Sequence, residues 1–289
     1  MKPSRSTALA LVLPWLLTLA VFWLFPLVIS FVMGFTDFRL LVKDYQWVGL
    51  ANYRALLSDQ DFIKALKNTF IFVLGTIPVT TVLSLSMALL VSRRFKGRGV
   101  FRAAYFLPSI TSMVVIALIF TNLYQRGGYV ALLAKLVGLT PPENGFLYDS
   151  ATALFSIMAM DVWMSVGYYM LIFLAGLKSI PDELYEAAEI HGAGAIRRLF
   201  SITLPLLKPV ALFILVINSI KSFQVFVEIF VMTKGKFDTS TAVYFVYETG
   251  LTTGFKSGYA SAAAYVLFVI IALFSAMWFL LLRRRQALW

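Results

Sequence analysis

The 289-residue chain is 60% hydrophobic, 16% aromatic and only 13% charged, with a mean hydropathy of +0.84, which excludes an ordinary soluble domain and reads as an integral membrane protein. Its net charge of +11 points to anionic membrane lipid and topology rather than nucleic acid, because the Lys and Arg residues cluster beside apolar segments. With no cysteine and one histidine, His191, disulfides, thiol catalysis and cysteine-ligated or multi-histidine metal sites are excluded.

Six apolar runs are long enough to cross a hydrocarbon core of ~30 Å, which takes about 20 helical residues. The first, residues 8–33, follows Lys2 and Arg5. Its apolar body is too long for a cleaved secretion signal and no small-x-small site follows, so it is expected to stay as a span. The second run, 68–92, is trailed by Arg93, Arg94, Lys96, Arg98 and Arg102; the third covers 103–124. The fourth, 152–174, precedes Lys178, Arg197 and Arg198. The fifth is 206–231 and the sixth 260–282, before Arg283, Arg284 and Arg285. Unbroken apolarity predicts helices rather than the alternation of barrel strands. The expected fold is therefore all-α, a polytopic membrane protein with six transmembrane helices in one domain, 1–289. All the basic clusters share one side if both termini are cytoplasmic, which makes 36–67, 125–150 and 233–259 external. The last two, with Gly127-Gly128, Pro141-Pro142 and several aromatics, suit contact with an external protein, although exposed loops need no such role.

Polar residues inside spans are costly and tend to face a cavity or each other. The fourth span carries Asp161, Trp163, Ser165, Tyr168 and Tyr169, and the fifth Asn218, Lys221, Ser222, Gln224 and Glu228. Counting ~1.5 Å per residue from the external ends sets Asp161 and Lys221 at similar depth. They are expected to pair, with an anionic substrate as the other reading of Lys221. Between these spans lies a polar loop, 179–205. Ser179-Ile180-Pro181-Asp182 reads as a helix start with Ser179 as cap. Glu183, Glu186 and Glu189 then recur along one helical side. Gly192 and Gly194 provide a stop, one of them left-handed. A second short helix is expected from Ala195 towards Pro205, carrying Arg197 and Arg198.

The run Glu186-Ala187-Ala188-Glu189-Ile190-His191-Gly192-Ala193, followed by Leu204-Pro205, resembles the EAA loop of bacterial ABC importer permeases, with His191 where that family usually has Asp. Val48-Gly49-Leu50 with Asn52-Tyr53, Asn68-Thr69, and Arg102 with Tyr105-Phe106-Leu107-Pro108 and Ser112 are similar to patterns of its carbohydrate-uptake branch, so the resemblance spans essentially the whole chain. It implies a type I importer permease fold in the bacterial inner membrane. It also implies partners: a second, paralogous permease, two ABC ATPase subunits, an extracytoplasmic substrate-binding protein and membrane lipid. This chain would be non-enzymatic and bind no cofactor, ATP and Mg residing on the ATPases; consistently, it has no G-x-x-x-x-G-K-[ST] phosphate cradle.

The coupling residues implied are Glu183, Glu186, Ala187, Ala188, His191, Gly192 and Ala193. For the substrate pathway, the resemblance carries over onto Tyr169, Asn218 and Ser222, with a third polar position falling on Val225. Ser109, Asp161, Tyr168, Lys221 and Gln224 join them as polar residues inside spans. Aromatic faces with amides and hydroxyls suit a sugar, oligosaccharide or polyol; glycerol 3-phosphate is the alternative, and interhelical packing is the competing role of every such residue. A secondary transporter would need an inverted repeat, and the halves show none. A membrane-embedded enzyme would need a nucleophile and base or a metal constellation, which Asp161 and Glu228 do not make. A structural scaffold would leave the EAA pattern unexplained.

Overall fold

The structure, a computed structural model, describes residues 5–93 and 95–283. Lys2, Arg94, Arg284 and Arg285, on which part of the topology argument rests, lie outside the described residues. The first span runs as α1 (Arg5–Leu19), a π turn (Ala20–Leu24) and α2 (Phe25–Met33). After it come α3 (Ala51–Leu56) and α4 (Gln60–Ser92), then α5 (Arg98–Ile110), α6 (Met113–Leu123) and α7 (Tyr129–Leu136). The fourth span is α8 (Ala153–Lys178). It leads to α9 (Asp182–Ile190), α10 (Ala195–Arg198), a second π turn (Leu199–Thr203) and α11 (Leu204–Leu206). The fifth span is α12 (Lys208–Phe223) with α13 (Val227–Met232), followed by α14 (Ala242–Tyr247) and α15 (Ser257–Arg283). Among the described residues, five stretches are long and apolar enough to cross a membrane, and the bent pair α5 and α6, taken as one span, makes a sixth.

Prolines explain two of the irregularities. Each of the first two π turns ends two residues before a proline, Pro26 or Pro205. A proline lacks the N–H for an α-helical bond and its ring crowds the carbonyl four residues back, so the helix widens by one residue there.

The third span is not the continuous helix expected over 103–124: α5 and α6 meet at 98°. Pro108 sits in the last turn of α5, the Ser109 hydroxyl donates to Phe106 O at 2.7 Å and the Thr111 hydroxyl to Leu107 O at 2.9 Å. Thr111 then leaves the helix in extended conformation. Local hydroxyl bonds thus compete with the helix where hydropathy reads only apolar content.

The chain forms two compact units, one taking residues up to Ile63 with Phe245–Val269, the other Lys64–Tyr244 with the chain from Ile270 on. In the first, Trp15, Phe22 and Trp23 are all more than 60% exposed, as befits a helix whose solvent is lipid. Asn52 of the Val48–Tyr53 motif donates to Gly34 O at 3.0 Å and Thr36 O at 2.8 Å, and Trp47 stacks on Phe35. The motif therefore clamps the end of the first span. Asp59 caps α4 through Asp61 N and Phe62 N and accepts from Tyr259 Oη at 2.7 Å. Asn52→Ala will lower stability by about 2 kcal/mol, since two half-buried carbonyls lose their donor. Thermal unfolding in detergent checks this, and an unchanged midpoint would assign the clamp to the aromatic stack instead.

The second unit is built around α8, whose inner side buries Ile157, Met160, Tyr169, Met170 and Phe173. α5 crosses α8 at Gly167, where a Cβ would lie 1.8 Å from Tyr105 O. Asn68 donates to Asp238 O at 2.8 Å and Ser240 O at 3.0 Å, and Thr69 Oγ1 accepts from Ala242 N at 2.9 Å. The Asn68-Thr69 motif thus pins the loop after the fifth span to α4.

Candidate functional site: a polar loop and a membrane cavity

The loop 179–205 folds as a helix-turn-helix. Ser179 does not cap α9 as expected; its hydroxyl donates to Gly176 O at 2.7 Å and closes α8. Pro181 takes the N-cap position without a side-chain bond. The acids Asp182 and Glu183 sit in the first turn, where the helix dipole favours negative charge. Gly192, at φ +73°, is the left-handed residue, and Gly194 is extended and opens α10. Ala193 N donates to Ala188 O and Gly192 N to Glu189 O, both at 2.9 Å. That pair of bonds is the Schellman closure of a helix.

His191 Nδ1 lies 2.8 Å from Ala187 O, so the ring carries its proton on Nδ1, a donation that the family's usual Asp does not make. Two side-chain ties hold the halves together: Arg198 to Glu189 at 3.1 Å, and the hydroxyls of Tyr185 and Thr203 at 2.9 Å. Glu183, Glu186, Ala187, His191 and Gly192 are exposed, while Ala188 and Ala193 are half-buried. At the outside of the turn, Ile190 is 85% and Ile196 76% exposed.

Deeper in the second unit is a cavity of about 300 Å³ bounded by Ser109, Ser165, Tyr168, Tyr169 and Lys221 with Met113, Met164 and Ile217. Four residues expected on a substrate pathway, Ser109, Tyr168, Tyr169 and Lys221, are thus brought together. Lys221 Nζ lies 3.0 Å from Asp161 Oδ1 and 2.6 Å from Ser165 Oγ. The Asp161 side chain is 3% exposed and that of Lys221 40%. The expected pair forms, with the cation turned to the cavity and its counter-ion buried behind.

The rings of Tyr168 and Tyr169 meet edge to face at 5.2 Å. Asn218 and Ser222 are not part of this cavity: both are buried, and Ser222 shares a hydrogen bond at 3.3 Å with Thr76 of α4. Asn218 Nδ2 is buried with no hydrogen-bond partner among the described residues. Gln224 is exposed at the break between α12 and α13. Ser165 was read only as a polar residue inside the fourth span; its i, i+4 spacing from Asp161 is the signal that sets it beside the pair. Met113, Met164 and Ile217 left none, since apolar residues face lipid, core and cavity alike.

Residues 80–286 match the family of the binding-protein-dependent transport system inner membrane component. The chain is 33% identical to the probable ABC transporter permease protein YesP of Bacillus subtilis (strain 168), over 96% of this chain and 93% of that protein. It is 34% identical to the arabinooligosaccharides transport system permease protein AraP of the same organism, over 91% of this chain and 84% of that one. Its fold matches a chain in the crystal structure of a bacterial ABC transporter involved in the import of the acidic polysaccharide alginate, with a TM-score of 0.83 at 24% identity, covering 95% of this chain and 94% of that chain. With six spans in this fold and a family match over most of its length, the chain belongs to the binding-protein-dependent inner membrane components and is a permease subunit of an ABC transporter.

Proposed function

We propose that the chain is one of two paralogous permeases of an ATP-driven importer for a sugar, oligosaccharide or polyol, working with two ABC ATPases and an extracytoplasmic binding protein, and with both its termini in the cytoplasm. The observation that carries this is the helix-turn-helix of α9 and α10. Its acidic face and its apolar tip, Ile190 and Ile196, are presented outward, as a groove in a partner would require. Glu186 offers a charge-assisted contact and Gly192 a close backbone approach. ATP and Mg belong to the ATPases; this chain transmits their motion.

From Ala195 the chain runs as nearly continuous helix through the second π turn and Pro205 into α12, which carries Lys221 at the cavity. A displacement of the loop by closing ATPases is thereby delivered to the cavity wall as a rigid-body shift. The two tyrosine rings, two serine hydroxyls and one ammonium of that wall suit a polyhydroxylated ligand, in keeping with the oligosaccharide named for AraP. Ser222, held against Thr76 of α4, would reach a ligand only in a state where α4 has withdrawn from it, and Asn218 only in a state that uncovers it.

The test is coexpression with the candidate partners and measurement of ATPase activity against sugars, polyols and glycerol 3-phosphate. One ligand should stimulate it. Glu186→Lys and Gly192→Val should each cut the stimulation roughly tenfold, a coupling loss of ordinary size. Failure to retain any ATPase subunit would overturn the reading.

A further inference from the structure

A second cavity, of about 680 Å³, opens where the ends of α4 and α8 meet the loop 179–205. Its wall takes Arg93 from just past α4, Lys178 from the last residue of α8 and Arg198 from the end of α10. Among the described lining residues Asp182 is the one carboxylate facing these three cations. Arg198 engages Glu189 through a single nitrogen at 3.1 Å, so most of its guanidinium donors stay available. The hydroxyls of Tyr185 and Thr203 complete a polar side. Next in sequence to the lining residues Leu89 and Leu199, Leu90 of α4 and Phe200 of the second π turn are 59% and 64% exposed, as lipid-facing side chains are.

Three cations from three separate elements, two of them arginines, make a clamp matched to the oxygens of a tetrahedral dianion or diester better than to a lone carboxylate. The clamp also lies at the helix ends, the depth at which phospholipid headgroups sit. We infer that this cavity binds a phosphate-bearing anion, supplied either by the headgroup of an acidic phospholipid or by a free phosphate. A bound phosphate joins two spans to the second half of the loop, so its occupancy restrains the element proposed to relay motion. The site itself does not depend on what the transporter carries.

The experiment uses the purified full-length chain in neutral detergent, following thermal unfolding while phosphatidylglycerol, phosphatidylcholine or inorganic phosphate is titrated. Phosphatidylglycerol should stabilise and phosphatidylcholine should not. Arg93→Gln with Lys178→Gln should weaken the response roughly 30-fold, at about 1 kcal/mol per basic residue removed near a membrane surface. Both side chains are exposed, so the variant is expected to fold; Arg93→Lys with Lys178→Arg, which keeps the charges, should recover most of the affinity. Stabilisation by phosphatidylglycerol alone assigns the site to a lipid headgroup. Millimolar inorganic phosphate that stabilises equally and displaces the lipid assigns it to a free phosphate. The site is refuted if neither anion stabilises, or if the Gln variant responds as the unaltered chain does.

Discussion

Gly167→Val will prevent α5 from seating on α8 and cost the chain about 3 kcal/mol, the upper range for forcing extra methyl groups into a packed interface. Even the first added carbon would sit 1.8 Å from Tyr105 O and 2.5 Å from Tyr105 C. Both are backbone atoms, so no rotamer change relieves the clash. The contrast is Gly176, whose Cβ would meet side-chain atoms of Val210 and Leu207 at 2.7 and 3.0 Å, where repacking is available. Gly99→Val is the control: it lies on α5 itself, and a Cβ there meets nothing within 4 Å. Thermal unfolding of both variants in detergent decides the matter. If Gly167→Val melts within about 2 °C of Gly99→Val, a small shift for a chain of this length, the close crossing is not what joins the two helices. Ser109 lies on α5 and Tyr168 and Tyr169 on α8, so the same substitution should also deform the membrane cavity.

Lys221→Met will destabilise the chain by about 2 kcal/mol, because it strands the carboxylate of Asp161. Breaking a fully buried pair costs about 3–5 kcal/mol; here the Lys221 side chain is 40% exposed, at the cavity, which lowers the figure. Ser165 remains to Asp161 only at 3.5 Å, too long to replace the ammonium at 3.0 Å. Asp161→Asn with Lys221→Met removes both charges and should recover most of the loss. The thermodynamic cycle over the four proteins isolates the interaction. The charge swap, Asp161→Lys with Lys221→Asp, adds a transport readout: if it transports no better than the worse single variant, the pair does not matter to function.

What was legible along the chain follows from short-range rules. The spans announce themselves because about 20 apolar residues in a row have no other stable solvent than lipid. The left-handed Gly192 was foreshadowed because a helix of this kind ends on a residue free of Cβ strain. The pairing of Asp161 with Lys221 followed from arithmetic, since helical rise sets depth and an unpartnered charge at that depth is costly. The helix-turn-helix from α9 to α10 is a local structure of polar residues, and its order in the chain already contained its shape.

The remainder concerns direction rather than content. Ser179 is an equally good cap for the helix before it and the helix after it, and only the closing of α8 on Gly176 O decided between them. Asn218 and Ser222 share a helical face, yet that face turns to Thr76 rather than to the cavity, because helix rotation is set by packing against neighbours. The 98° bend between α5 and α6 is invisible to hydropathy, which sums apolarity without regard to path. Thus the chain by itself determined which stretches are apolar enough to cross a membrane, which loop is polar and which charges must meet. Only the tertiary structure decided which side of each helix faces a partner, since that depends on contacts such as Gly167 with Tyr105 O, made between residues 62 positions apart, beyond the reach of any local pattern.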